Sequence, residues 1–202
     1  PEPHLPQNRF NDGTTDPRGR FWAGTMKDGG DPAPQGTFYR LDPDMSVTPW
    51  RGNFYTTNGS AFSPDGSMMY FSDSNPRRRT VWRAPYDLDT GTPGEPDVFC
   101  DTHGMAGRPD GGTVDSDGCY WMAGIDGWQV YRITPQGKID RTIDLPVERP
   151  SKPMFGGSNR DVLYVTSLGI GLSEPERQPL AGSLFAITGL GVTGLPQTRF
   201  AG

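Results

Sequence analysis

Histidine and cysteine are scarce in this chain, with two of each among 202 residues. Cys100 and Cys119 lack the close spacing of a zinc or redox motif, so two reduced, buried thiols are expected. His4 and His103 fall outside the repeat described below. No serine sits in a nucleophile elbow, which argues against a serine hydrolase. No apolar run reaches the roughly 18 residues that would span a bilayer, and the N-terminus shows no signal-peptide pattern. Net charge is −5, so nucleic acid is not an expected partner. Arg77, Arg78 and Arg79 form the single basic run and read as a solvated loop.

Apolar residues make up only 33% of the chain, while glycine (28) and proline (21) are abundant. Such a composition can mark disorder. Here the aromatics recur in clusters such as "RFWAG", "MMYFSDS" and "CYWMAG", which argues for a core. Gly and Pro then punctuate many short strands, and the fold class expected is all-β. Strands come in pairs. A turn such as "DPRG", "SPDG" or "DSDG" precedes a strand with two aromatics, and a second strand follows as "FYRL", "VWRA", "VYRI" or "LFAI". Trp22, Trp82 and Trp121 recur with the repeat and read as core.

The turn glycines Gly19, Gly66 and Gly118 are spaced by about 40–50 residues, the length of a four-stranded propeller blade. A weaker fourth turn, "GSNRD", ends at Asp161. Between four and five blades are expected, as a five-bladed ring or as part of a six-bladed one. Eight positions before each turn glycine stand Asn11, Asn58 and Asp110. Equivalent repeat positions occupy equivalent places around a ring, so these oxygen-bearing side chains would converge on the axis. Oxygen donors suit a hard divalent cation. The fourth equivalent position is near Pro153. The competing reading is local, because Asn-Gly and Asp-Gly are hairpin-turn signals by themselves. Arg9 reads either as a site residue or as a surface arginine paired with Asp12. Asp12 and Asp73 could support the site or cap turns.

The stretches "NRFNDGTTDPRGRFWAGTM", "TNGSAFSPDGSMMYFSDS", "GRPDGGTVDSDGCYWMAG" and "LFAITGLGVTGLPQTRFAG" resemble the gluconolactonase/regucalcin (senescence marker protein) family over essentially the whole chain. The resemblance implies a six-bladed β-propeller, here incomplete at about four to four and a half blades. Residues 1–202 would then be one propeller domain lacking the family's N-terminal blades. It implies metal-dependent hydrolysis of a gluconolactone-like sugar lactone, with carbohydrate metabolism in the cytoplasm as the setting. By resemblance, Asn58 and Asp110 match metal ligands and Asp110 the general base. Arg9 and Asn11 match substrate contacts. One divalent ion is implied, calcium first, with zinc, manganese, magnesium or iron as alternatives. A further glutamate ligand, carried by a "GEGP"-like motif, is expected before Pro1. The partner implied is a small sugar lactone, with no membrane. Two rival functions stay open: another metal-dependent hydrolase on the same scaffold (arylesterase- or phosphotriesterase-like), and a non-catalytic or inactive partial propeller. An open ring would expose apolar blade faces and predicts oligomerisation.

Overall fold

The computed structural model describes residues 2–202. They form four antiparallel sheets arranged as propeller blades. Blade one is β1 (Asn8–Thr15), β2 (Phe21–Lys27), β3 (Gly36–Leu41) and β4 (Val47–Phe54). Blade two is β5 (Thr57–Phe62), β6 (Met68–Asp73) and β7 (Thr80–Asp87), with the short β8 (Thr92–Pro93) and β9 (Asp97–Asp101) both pairing with β7. Blade three is β10 (Arg108–Val114), β11 (Tyr120–Ile125), β12 (Gln129–Ile133) and β13 (Ile139–Asp144). Blade four holds three strands, β14 (Pro150–Gly156), β15 (Val162–Ser167) and β16 (Leu184–Ile187). Among the described residues there is no α-helix, and no helix is long and apolar enough to cross a membrane.

The core follows from strand alternation, which sends successive side chains to opposite faces. In β6, Met69 and Phe71 face blade one and meet Trp22, Phe38 and Phe54, while Tyr70 faces blade three. In β11, Tyr120 and Met122 pack on blade two, while Trp121 packs on Phe155, Leu163 and Val165 of blade four. A middle blade is thus buried on both faces, and every residue of β5 and β11 is buried. The outward face of blade one has no such neighbour, leaving Phe10, Phe21 and Val47 exposed.

The "DPRG" and "DSDG" turns are fixed by one buried carboxylate each. Asp16 accepts the backbone N–H groups of Arg18 and Arg20 and the Tyr86 hydroxyl. Asp115 accepts the backbone N–H groups of Asp117 and Cys119, the Trp121 indole and Arg132 Nε. Of the three tryptophans expected in the core, Trp22 and Trp121 are fully buried and Trp82 partly so. Both cysteines are buried and free. The basic run departs from expectation at Arg79, whose guanidinium binds the carbonyls of Thr102, Met105 and Gly107 and so ties two loops together. The C-terminal segment runs from blade four back to blade one, where the Thr15 hydroxyl donates to Thr198 and Ala201 N–H to Gly19. It covers the end of the channel opposite the site, leaving a cavity of about 140 Å³ lined by Thr14, Ser60, Thr113 and Leu195.

Candidate functional site

The "NDG", "NGS" and "PDGG" stretches are not hairpin turns. They lie inside β1, β5 and β10, and at each the register with the neighbouring strand slips: Phe10 to Gly13, Asn58 to Ala61 and Pro109 to Gly112. β14 slips as well, between Pro150 and Lys152. A β-bulge adds a residue, twists its strand and re-aims a side chain. β1, β5, β10 and β14 each lead their sheet, and all four bulges sit toward the same end, where the loops form a mouth. Glycine is needed here for a specific reason. Gly59 has φ +65, and a Cβ on Gly59 or Gly112 would collide with the Tyr120 hydroxyl. That hydroxyl donates to the Gly59 carbonyl at 2.7 Å and fastens two blades beneath the site.

Asn58 and Asp110 are brought into direct contact. The Asn58 amide donates one N–H to Asp110 Oδ1 and the other to Ser74 Oγ, 2.9 Å away. Arg108 holds the Ser74 carbonyl at 2.8 Å and Asp126 at the rim. Asn11 lies one blade away, on β1, and donates to the Thr57 carbonyl at 2.9 Å, next to Asn58. Its own oxygen accepts from Arg9 at 3.0 Å. Arg9 is half exposed at the rim and pairs with Asp28, not with Asp12. Asp73 caps the neighbouring turn, accepting backbone N–H groups of Tyr55, Thr56 and Asn75.

The electrostatics single out Asp110. Burial pushes its carboxyl up to about 7, and the Asp12 charge adds to the rise. The Asn58 hydrogen bond and the Arg108 and Lys152 charges oppose it. Asp110 itself keeps partial accessibility at the mouth, so it is desolvated by its surroundings yet open to a small ligand. A carboxyl near neutrality can hold or release a proton at working pH.

The sequence reading misses Lys152; Asp12, open there between supporting the site and capping a turn, is its partner. Lys152 and Asp12 form an ion pair across the channel, Nζ lying 2.8 Å from Oδ1. The repeat pointed to Pro153 for blade four, but Pro153 is a buried strand residue opposite Val165. The reaching side chain is the residue before it. The signal was there in the adjacent Lys of "SKPMF", displaced by the bulge in β14.

Asn58 and Asp110 are the donor types a hard divalent cation takes, one amide oxygen and one carboxylate; as placed, the Asn58 oxygen accepts the Gly59 N–H and its amide N–H faces Asp110, so ligation requires the Asn58 amide to turn over. Among the described residues no group of three His, Cys, Asp or Glu side chains could hold a metal ion, so they make a partial shell.

A family model described as the SMP-30/Gluconolactonase/LRE-like region matches residues 1–169. The chain is 40% identical over 198 residues to a 6-deoxy-6-sulfogluconolactonase of Pseudomonas putida, covering 96% of this chain and 66% of that protein. It is 40% identical over 202 residues to regucalcin of Gallus gallus, covering 96% of this chain and 67% of that one. Its fold matches the crystal structure of a calcium-binding protein, regucalcin, from Agrobacterium tumefaciens with a TM-score of 0.90 and 31% identity, covering 99% of this chain and 67% of that chain. The chain therefore spans about two thirds of the length of these relatives. It belongs to the SMP-30/gluconolactonase/LRE-like family, and its four blades match two thirds of a regucalcin-type propeller.

Proposed function

We propose that this chain is a single propeller domain carrying the base-bearing part of a sugar lactonase, which opens a cyclic sugar ester to its aldonic acid. The observation that carries the proposal is the convergence of Asp110 and Asn58, aimed by bulges in two neighbouring blades, into one contact at the mouth. The relative that acts on a sulfonated gluconolactone supports the substrate class.

Asp110 takes a proton from the water that attacks the lactone carbonyl carbon. As the tetrahedral intermediate collapses, the bond from that carbon to the ring oxygen breaks. Asp110 returns the proton to the departing ring oxygen, which becomes a hydroxyl. Arg9, steadied by Asn11, donates hydrogen bonds to the substrate or to the developing oxyanion. Asn11 in turn is tied to Thr57, so Arg9 and Asn58 are positioned through one short chain of contacts. A divalent ion held by Asn58 and Asp110, calcium on the strength of the calcium-binding relative, would supply Lewis-acid polarisation of the carbonyl. A cytoplasmic setting accompanies this reading.

The test is acid release from glucono-1,5-lactone by the metal-stripped chain, with calcium, zinc, manganese, magnesium or iron(II) added back singly. Turnover should require a metal and fall by about 10²–10⁴-fold in Asp110→Asn. Equal turnover in the variant, or none with any metal in a folded protein, would overturn the proposal.

A further inference from the structure

The Lys152–Asp12 pair joins β14 to β1, strands of blades that share no pairing. It spans the channel and does not stitch a sheet. Both side chains retain some exposure, 26% for Lys152 and 13% for Asp12. A partly buried ion pair is weak evidence of a stabilising role, because desolvation offsets most of the attraction. What the pair does offer is unused hydrogen-bonding capacity beside Asp110.

An ammonium has three N–H donors. Lys152 directs its bonds to the two oxygens of one carboxylate, at 2.8 and 3.0 Å, leaving a donor free. The Asp12 carboxylate accepts these and the Ser60 N–H at 3.3 Å, which leaves a lone pair on Oδ1. A free donor and a free acceptor thus stand side by side. An alcohol hydroxyl, which both donates and accepts, fits that arrangement. The pair is neutral overall, so it favours an uncharged hydroxylated ligand over an anion. The Lys152 stem reaches this position across Gly111, where a Cβ would collide with its Cδ. The bulge that aims Asp110 therefore also makes room for Lys152.

Resting on the lactonase reading above, we infer that Lys152, with Asp12, binds ring hydroxyls of the substrate and sets the preference of this site for polyhydroxylated over unsubstituted lactones. The lysine donates to a hydroxyl oxygen while Asp12 accepts the hydroxyl proton. Lys152 makes no bond to the reacting carbonyl and acts through orientation of the ring.

The test compares kcat/KM for glucono-1,5-lactone with that for δ-valerolactone, which has the same ring ester and no hydroxyls. In Lys152→Met the ratio of the two should fall by about 10- to 100-fold, the effect of losing one charged hydrogen bond. Lys152→Arg should recover part of it. Arg177→Gln, which removes an exposed charge from a loop at the same end, should leave the ratio unchanged. A ratio unaltered by Lys152→Met, or lowered as much by Arg177→Gln, would overturn the inference. So would equal losses on both substrates. A readout without turnover keeps the two readings separate. The hydrolysis-resistant lactam of gluconic acid, titrated calorimetrically, should bind the native chain about tenfold or more tightly than Lys152→Met. Equal affinity, or no binding to the native chain, would overturn the role of Lys152. An inactive native chain that still binds the lactam through Lys152 would sink the catalytic proposal and leave this one standing.

Discussion

Replacing Asp110 by Asn should stabilise the metal-free protein at neutral pH while disabling it. The carboxyl is raised from an ordinary 3.8 to about 7 by burial and by Asp12. Between those values the native state holds a proton that the unfolded chain has released. Stability attributable to this group therefore falls as pH rises from about 4 to about 7, then levels off. The slope is about 1.4 kcal/mol per pH unit, and the full cost at pH 8 is at most about 4 kcal/mol. Water entering through the open mouth reduces it. Asparagine keeps the shape and can still accept from Asn58 but never ionises, so it escapes the cost. Urea unfolding of both proteins, stripped of metal, isolates this one group, because the other carboxylates cancel in the difference. The variant should match the native chain near pH 4 and exceed it by about 2–4 kcal/mol at pH 8. A divalent ion at a hundred times its Kd should return about 2.7 kcal/mol to the native chain and little to the variant. A difference that does not change with pH, or a variant less stable at pH 8, would refute the argument that Asp110 is held in a charge-averse site.

Two further outcomes follow from the frame around the site. Asp115→Ala removes the acceptor for Arg132, Trp121 and two backbone N–H groups at a buried corner. It should cost about 3–5 kcal/mol in urea unfolding, and a loss under about 1 kcal/mol would show that Asp117 and Asp140, which also pair with the Arg132 guanidinium at 2.8 and 2.7 Å, suffice for it. On blade one, an apolar groove of about 440 Å³ is lined by Phe10, Phe21, Leu41 and Val47. The native chain should therefore associate with rising concentration in sedimentation velocity, and Phe21→Lys with Val47→Lys should suppress this; identical behaviour of the two proteins would exclude that face.

How far the site could be read from sequence depends on the range of each interaction. The turns and blades were legible because their determinants are local. Asp16 and Asp115 hold backbone N–H groups two and four residues away, so a short motif contains the whole device. The phase match of Asn11, Asn58 and Asp110 was legible because blades repeat. What they do at that position was not. An Asn-Gly or Asp-Gly step favours a bulge and a hairpin turn for the same reason, tolerance of unusual backbone angles, and only the neighbouring strand decides between them. At Gly59 that neighbour is Tyr120, sixty-one residues on, whose hydroxyl holds the bulge by its carbonyl. Lys152 lies at the far extreme. Its partner Asp12 is 140 residues away, and the weak "GSNRD" turn gave no sharp origin from which to count in blade four. A one-residue bulge displaced the reaching side chain from Pro153 to Lys152. In a propeller the sheets are written locally and the axis is not. Each blade sends one bulge to the centre, and contacts such as Asn58–Asp110 form between bulges that only closure of the neighbouring blades brings together. On the lactonase proposal, preference among lactones should accordingly reside in cross-blade pairs such as Lys152–Asp12, which can change without disturbing any turn.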